Sequence, residues 1–325
     1  MNNDKWAIGI DLGGTKIEAA HIDERGNIQN RIRIKTDVDD GPEAVQEQII
    51  RLVNRLKNEA EHDKPVGVGI GVAGQVDEEM GLVKYAPNLR WDHVSLGSKL
   101  QEQIQIPVTV LNDVRAATWG EWLFGAGKDC DDLICIFIGT GIGGGIVSGG
   151  KMLAGASNTA GEIGHMTVAL DGPDCHCGNK GCLEALAGSW AIERDAQKAV
   201  RKHGKSGSGI LELAGSEVQN IKAKTVIKAF KNDDKLATKL INNVVNALGG
   251  GLTGLTNILN PERIIMGGGV TEHMPDLIGR VEKKVQKRAL KAATEVLEFV
   301  PTQLHDDSGV IGAAACMFRK EDEEG

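Results

Sequence analysis

The chain has 325 residues, 41% of them apolar and 25% charged, an ordinary balance for a soluble globular protein, and its length fits two domains better than one core. With 37 basic against 45 acidic residues the formal net charge is −8, which argues against a general nucleic-acid-binding surface. No apolar run approaches the roughly 20 residues needed to span a bilayer. The opening MNNDKWAIGIDLGG lacks a basic segment followed by a signal-type apolar core, so the cytoplasm is the expected compartment.

In chain order, the first apolar run is Trp6 to Ile10, ending at Asp11. DLGGTK follows, then a second strand over Lys16 to Ile22 and, after ERGN, a third over Ile28 to Ile34. Runs of strand length separated by tight Gly and Asn turns read as a β-meander. Asp40-Gly41-Pro42 opens a helix, with Val45, Ile49, Leu52, Val53 and Leu56 on one face. VGVGIGV, Val66 to Val72, suits a buried strand and leads into the loop AGQVDEEMG. A helix near Ser95 to Gln105 precedes a strand over Val108 to Leu111, which stops at Asn112-Asp113. Strands alternating with helices predict an α/β domain with a mixed sheet.

A second unit begins near Val114. Asp132 to Ile138 is a strand, and GTGIGGG links it to another over Ile142 to Val147, repeating the opening strand, turn and strand. Two related halves are the simplest explanation. Later, Leu236 to Leu259 has helical periodicity interrupted by Gly249-Gly250-Gly251. A strand at Arg263 to Met266 meets Gly267-Gly268-Gly269, a helix covers Met274 to Ala289, and a strand lies near Val296 to Val300. Gly309 to Phe318 suits a last helix, and the acidic tail KEDEEG has the composition of a disordered segment.

Three glycine turns stand at strand ends. In Asp11-Leu12-Gly13-Gly14-Thr15-Lys16 the glycines let backbone N–H groups approach a phosphate, Thr15 and Lys16 add donors, and Asp11 could hold a metal ion that bridges phosphates. A plain hairpin turn accounts for the same residues, which match neither the P-loop pattern nor G-x-G-x-x-G. Gly139-Thr140-Gly141 and Gly267-Gly268-Gly269 carry the same two readings. Together they are more telling, because ligands gather at strand ends in α/β folds. Asn112-Asp113 also ends a strand: the carboxylate is a candidate base, and the pair is equally a helix N-cap.

The densest chemistry is GEIGHMTVALDGPDCHCGNKGCLE, Gly161 to Glu184. His165, Cys175, Cys177 and Cys182 are three thiols and an imidazole with zinc-ligand character, and four protein ligands mean a structural site. In a reducing compartment a Cys-x-Cys cluster reads as metal-binding sooner than as disulfide. His176 sits between two of these ligands and should point away. Cys130, Cys135 and Cys316 lie in apolar surroundings and read as packing residues.

DLGGTK, GVAGQVD, NLRW, LNDVRAA, GTGIGGG, GEIGHMTV and CHCGNKGCLE, in this order from Ile8 to about Met317, resemble the ROK family of sugar kinases and sugar-responsive repressors, above all its bacterial glucokinases. The resemblance implies the actin-like ATPase (ribonuclease H-like) fold, with two α/β domains around a central cleft. It also implies a homodimer or homotetramer. Its boundaries would be residues 1–113 for the N-terminal domain, with a C-terminal helix over 306–325 packing back on it, and residues 114–305 for a C-terminal domain that carries the zinc loop.

Carried over by position, the resemblance makes Asp113 the general base. Asn112, Glu162, His165, Glu184, Asn88 and the backbone near Gly74 would bind sugar hydroxyls, with His165 serving the zinc through its other ring nitrogen. Asp11, Gly13, Gly14, Thr15, Lys16, Thr140 and Gly141 would meet ATP phosphates and Mg²⁺, and Gly267 and Gly268 would pass the nucleoside. The family's GxPG loop reads Gly71-Val72-Ala73-Gly74 here, a less rigid version. The expected reaction is transfer of the ATP γ-phosphoryl group to the 6-hydroxyl of glucose. Another hexose or N-acetylhexosamine as acceptor, or polyphosphate as donor, stays open. A sugar-sensing repressor would need a helix-turn-helix segment, and only about five residues precede the first strand.

Overall fold

A computed structural model describes residues 5–60, 64–203 and 208–324. The chain divides into two compact units: one holds the residues up to Asp129, Met152–Ala160 and those from Gln303 onward, the other Cys130–Lys151 and Gly161–Thr302.

In the first unit β1 (Trp6–Leu12), β2 (Lys16–Asp23) and β3 (Ile28–Lys35) form the antiparallel meander. α1 (Gly41–Glu59) follows, with Pro42 in its first turn and Val45, Ile49, Leu52, Val53 and Leu56 buried along one face. β4 (Val68–Val72) lies parallel to β1, and every one of its residues is buried, as expected of a strand covered on both faces. The stretch read as a loop instead starts a small antiparallel sheet of β5 (Gln75–Asp77), β6 (Leu82–Ala86) and β7 (Trp91–Ser95). Its strands, three to five residues each, are too short to show a period. α2 (Leu96–Ile104), β8 (Val108–Asn112) and α3 (Asp113–Phe124) complete the order, and the main sheet runs β3-β2-β1-β4-β8.

The C-terminal helix Ser308–Glu324 packs against α3, β1 and β4. Contact is close enough that a Cβ on Gly9 would lie 1.9 Å from the Val310 carbonyl oxygen, and one on Gly69 would lie 1.6 Å from that of Ala313. This packing moves the boundary predicted at residue 113. α3 belongs to the first unit because its partner is the C-terminal helix, and the chain leaves that unit only after Asp129. The second boundary falls at Thr302, not 305, and Met152–Ala160 returns to the first unit. The helix also runs through all but the last residue of the acidic tail expected to be disordered; Gly325 lies outside the described residues.

The second unit repeats the scheme. β9 (Leu133–Ile138), β10 (Ile142–Ser148) and β11 (Lys151–Met152) precede α4 (Leu183–Ala187), α5 (Ser189–His203), α6 (Ser208–Leu213), α7 (Ala223–Lys231) and α8 (Lys235–Leu259). β12 (Arg263–Gly267), α9 (Gly269–His273), α10 (Asp276–Arg288), α11 (Lys291–Thr294) and β13 (Glu298–Pro301) follow. β9 and β10 are antiparallel, β12 is parallel to β9, and β13 is parallel to β12, giving the order β11-β10-β9-β12-β13. Position for position this is the topology of the first sheet, so the suspected relation between the halves extends to five strands.

Two differences have steric causes. α8 is not interrupted at its triple glycine: a Cβ on Gly249 would lie 2.6 Å from that of Lys284, and one on Gly251 would lie 2.4 Å from Met166 Cε. The glycines make room for neighbours without ending the helix. The helix expected over Met274 to Ala289 is α10, and a short helix that was not expected, α9, precedes it, the two separated at Met274-Pro275. Among the described residues no helix is long and apolar enough to cross a membrane.

Candidate active site

In the first unit the β1–β2 turn carries Gly13, Gly14 and Thr15. The Gly13 N–H donates to the Lys16 carbonyl at 3.0 Å, and Thr36 braces the turn through its hydroxyl, 2.7 Å from the Gly13 carbonyl oxygen. Gly14 abuts the backbone of Asn88, whose carbonyl oxygen a Cβ would approach to 2.3 Å. A phosphate-loop candidate and a sugar-site candidate thus share one contact. Lys16 is not a free cation: its Nζ pairs with Glu18 at 3.1 Å, and that buried carboxylate is also held by Arg31 and Arg33.

β8 delivers Asn112 and Asp113 at the same end of the sheet, Asn112 in register with Val72 of β4 and through it with Leu12 of β1. Asn112 Nδ2 donates to the Gly74 carbonyl and to Asp113 Oδ1, both at 3.0 Å, while its Oδ1 caps α3 by accepting from the N–H groups of Val114 and Arg115. Burial is the main force pushing the Asp113 carboxyl up to about 6. The Asp11 charge adds to the rise, and the hydrogen bonds from Val114 and Asn112 oppose it. Burial also raises Asp11, against the pull of Lys16 and Arg33. Of these two carboxyls Asp113, poised near neutrality, has the pKa a general base needs.

Sequence reasoning missed Arg115. Its guanidinium is buried, forks onto Glu78 in the β5–β6 turn, and donates to the Leu153 carbonyl at 2.8 Å. It ties the first turn of α3 to two distant segments, and no local pattern announces that.

In the second unit Glu162 and His165 flank a single turn, where the His165 N–H donates to the Glu162 carbonyl at 3.0 Å. Ile163 fixes the turn by packing on Gly144, where a Cβ would come within 2.4 Å of its Cδ1. Hence one reason for glycines inside β10. The cysteine loop doubles back through Gly178 (φ 90°) and Gly181 (φ 68°); a Cβ on Gly181 would sit 1.6 Å from the Ala169 carbonyl oxygen. Cys182 then stands immediately before α4, which carries Glu184.

One ligand atom from each of His165, Cys175, Cys177 and Cys182 lies within 4.8 Å of the other three. His165 Nδ1 is 3.7 Å from Cys175 Sγ, and Cys177 Sγ is 3.7 Å from Cys182 Sγ. Around a tetrahedral ion with metal–sulfur bonds of about 2.3 Å, ligand atoms stand about 3.8 Å apart, so the group fits zinc. Burial drives the Cys182 thiol up to about 12. His176 points away, as its neighbours require, and stacks on Trp190.

Glu184 reaches the β9–β10 turn. Its Oε2 accepts from the Ile142 N–H at 2.9 Å, and a Cβ on Gly141 would come within 2.3 Å of the same oxygen. Beside Thr140 opens a cavity of about 450 Å³ lined by Gly139, Ser189, Glu193, Lys222–Lys224, Ile227, Gly269, Val270 and His273. Gly269 lines it, not the expected Gly267 and Gly268. A Cβ on Gly267 would collide with Thr302, and Gly268, at φ 85°, lies against the Ile138 backbone, whereas Gly269 faces open space. Ser189, Lys222 and Lys224 were not foreseen, since they belong to helix starts that only the fold brings beside the turn.

Two α/β units, each a meander with two further parallel strands and a glycine turn at its first hairpin, define the actin-like ATPase fold. The ROK family profile matches residues 7–320, and the chain belongs to the ROK family. It is 34% identical over 322 residues to a glucokinase of Halalkalibacterium halodurans, covering 98% of this chain and 97% of the relative. A xylose repressor of Caldicellulosiruptor bescii is 30% identical over 96% of this chain and 77% of the repressor. The crystal structure of a Streptomyces griseus ROK glucokinase in complex with glucose and AMPPNP superposes with a TM-score of 0.78 at 34% identity, covering 97% of this chain and 99% of that one.

Proposed function

We propose that the protein is an ATP-dependent glucokinase. The observation that carries this reading is Asp113, a half-buried carboxylate poised near neutrality at the end of β8, hydrogen-bonded to Asn112 and at the same end of the sheet as the glycine turn after β1. The glucokinase relatives and the glucose and AMPPNP complex support it.

In the proposed reaction Asp113 accepts the proton of the glucose 6-hydroxyl as that oxygen attacks the γ-phosphorus in line. The new O–P bond forms, the bond to the bridging β–γ oxygen breaks, and ADP leaves with the electron pair. Asn112, Asn88 and the Gly74 backbone in the first unit, with Glu162, His165 and Glu184 in the second, would hold the sugar hydroxyls. Gly13 to Lys16, Thr140 and Gly141 would bind phosphates, with Asp11 holding the Mg²⁺ that arrives with ATP. The cavity at Gly139, Lys222 and Gly269 suits the nucleoside. His165, Cys175, Cys177 and Cys182 would hold zinc, which when bound supplies a fixed tetrahedral tie for the sugar-side loop.

A coupled assay over a panel of hexoses with ATP and polyphosphate tests the reading. Glucose with ATP should give the highest kcat/KM. Tight glucose binding without transfer to any sugar would instead mean a sensor.

A further inference from the structure

Glu184 is held by two donors from its own unit. Oε2 accepts from the Ile142 N–H at 2.9 Å, and Oε1 accepts from the indole Nε1–H of Trp190 at 3.3 Å. The first bond ties the carboxylate to the residue after Gly141. The second fixes its rotation, because each oxygen then has its own donor. Trp190 is itself braced by two side chains. The His176 ring stacks on it with centroids 4.1 Å apart and planes 22° from parallel, and the Arg194 guanidinium carbon lies 5.0 Å from its centroid. Arg194 is anchored in turn to the Ala185 carbonyl at 2.9 Å. The same helix start also grips the turn directly, the Ser189 N–H donating to the Gly139 carbonyl at 3.0 Å and the Trp190 N–H to that of Thr140 at 3.3 Å.

We propose that Trp190 is a positioning residue for the transfer reaction: it orients the Glu184 carboxylate and, through it, the Thr140–Gly141 turn. The proposal rests on the glucokinase reading, in which Glu184 faces the acceptor and the turn faces phosphate. One indole N–H then sets both sides of the second unit's contribution together. His176, placed between Cys175 and Cys177, extends the same brace to the cysteine loop. A carboxylate accepts from both donors, whereas a carboxamide must turn its own N–H₂ against one of them. Trp190→Phe removes the donor and keeps an aromatic ring for the stack, at the loss of part of the indole's contact area.

The test compares wild type, Trp190→Phe, Glu184→Gln and the double variant. Trp190→Phe should raise KM for glucose and for ATP about threefold to tenfold with kcat within about twofold of wild type, the pattern of lost binding geometry. A loss of folded protein would instead lower apparent kcat at unchanged KM. In the double variant, dissociation constants for glucose and AMPPNP should rise by less than the product of the single effects, because Trp190 acts through Glu184. Hydrogen exchange of the Ile142 amide should be about tenfold faster in Trp190→Phe. Unchanged KM values, independent effects in the double variant, or unchanged Ile142 exchange each overturn the proposal. Failure of wild type to phosphorylate glucose would overturn the functional reading instead, and Ile142 exchange would still decide the positioning role.

Discussion

Asn112 and Asp113 divide between them two tasks that the sequence offers to either. The Asn112 amide caps α3 through Oδ1 and, through Nδ2, holds both Asp113 Oδ1 and the Gly74 carbonyl. Asp113, the first helical residue, is thereby left with a restrained carboxylate at a helix N-terminus, where negative charge is favoured. Its pKa is nevertheless raised, because burial outweighs those hydrogen bonds.

Asp113→Asn should fold, retain glucose binding by calorimetry, and lose turnover by at least about 10²-fold, the usual worth of a general base. Retention of more than a tenth of wild-type turnover would remove Asp113 from that role. In wild type, kcat/KM should climb with pH through about 6 as the carboxyl ionises.

The same group predicts a pH-dependent stability difference. Its folded pKa of about 6 lies above the unfolded value of about 3.9, so the folded state binds more protons in that window. Stability from the protonated carboxyl is fully present below about 3.9 and is lost as pH rises through about 6. Asp113→Asn carries no such charge and should be the more stable protein at pH 8, by up to about 3 kcal/mol. The gap should shrink towards pH 4 in urea titrations; a gap independent of pH would contradict the assigned burial.

Cys177→Ser keeps three of the four proposed zinc ligands and sits at an exposed position. Purified variant should contain less than half the zinc of wild type by elemental analysis, melt at lower temperature and bind glucose more weakly. Full stability and affinity at low zinc content would mean that zinc does not organise the sugar side.

Glu121 is a buried carboxylate that sequence reasoning passed over. It accepts from the N–H groups of Ala126, Gln303 and Leu304 and from the Ser308 hydroxyl, which joins the end of α3 to the start of the C-terminal helix. Glu121→Ala removes the acceptor that the Gln303 and Leu304 N–H groups share and should cost at least about 3 kcal/mol of the first unit's stability. Glu59→Ala, at an exposed position, should move the urea midpoint far less. Comparable urea midpoints for the two variants would count against the clamp.

Much of this protein was legible before folding was considered. Strands β1, β2, β9 and β10, the apolar face of α1, the turns after β1 and β9, and the Cys-x-Cys-Gly-x-x-Gly-Cys loop all express short-range chemistry. Apolar period, the φ that glycine permits, and thiol spacing act within a few residues, so they survive in linear order. The ROK motifs, too, were readable in sequence order.

Tertiary structure decided what depends on residues far apart in the chain. Asn112 meets Gly74 across 38 positions, Glu184 meets Ile142 across 42, and Glu121 meets Gln303 across 182. No local propensity encodes such pairs, because each partner is brought there by the sheet or helix that carries it. The same cause put α3 in the first unit and turned Gly269 and not Gly267 towards the cavity. The sequence by itself determined which groups were available for chemistry; close packing determined which of them were left facing a ligand.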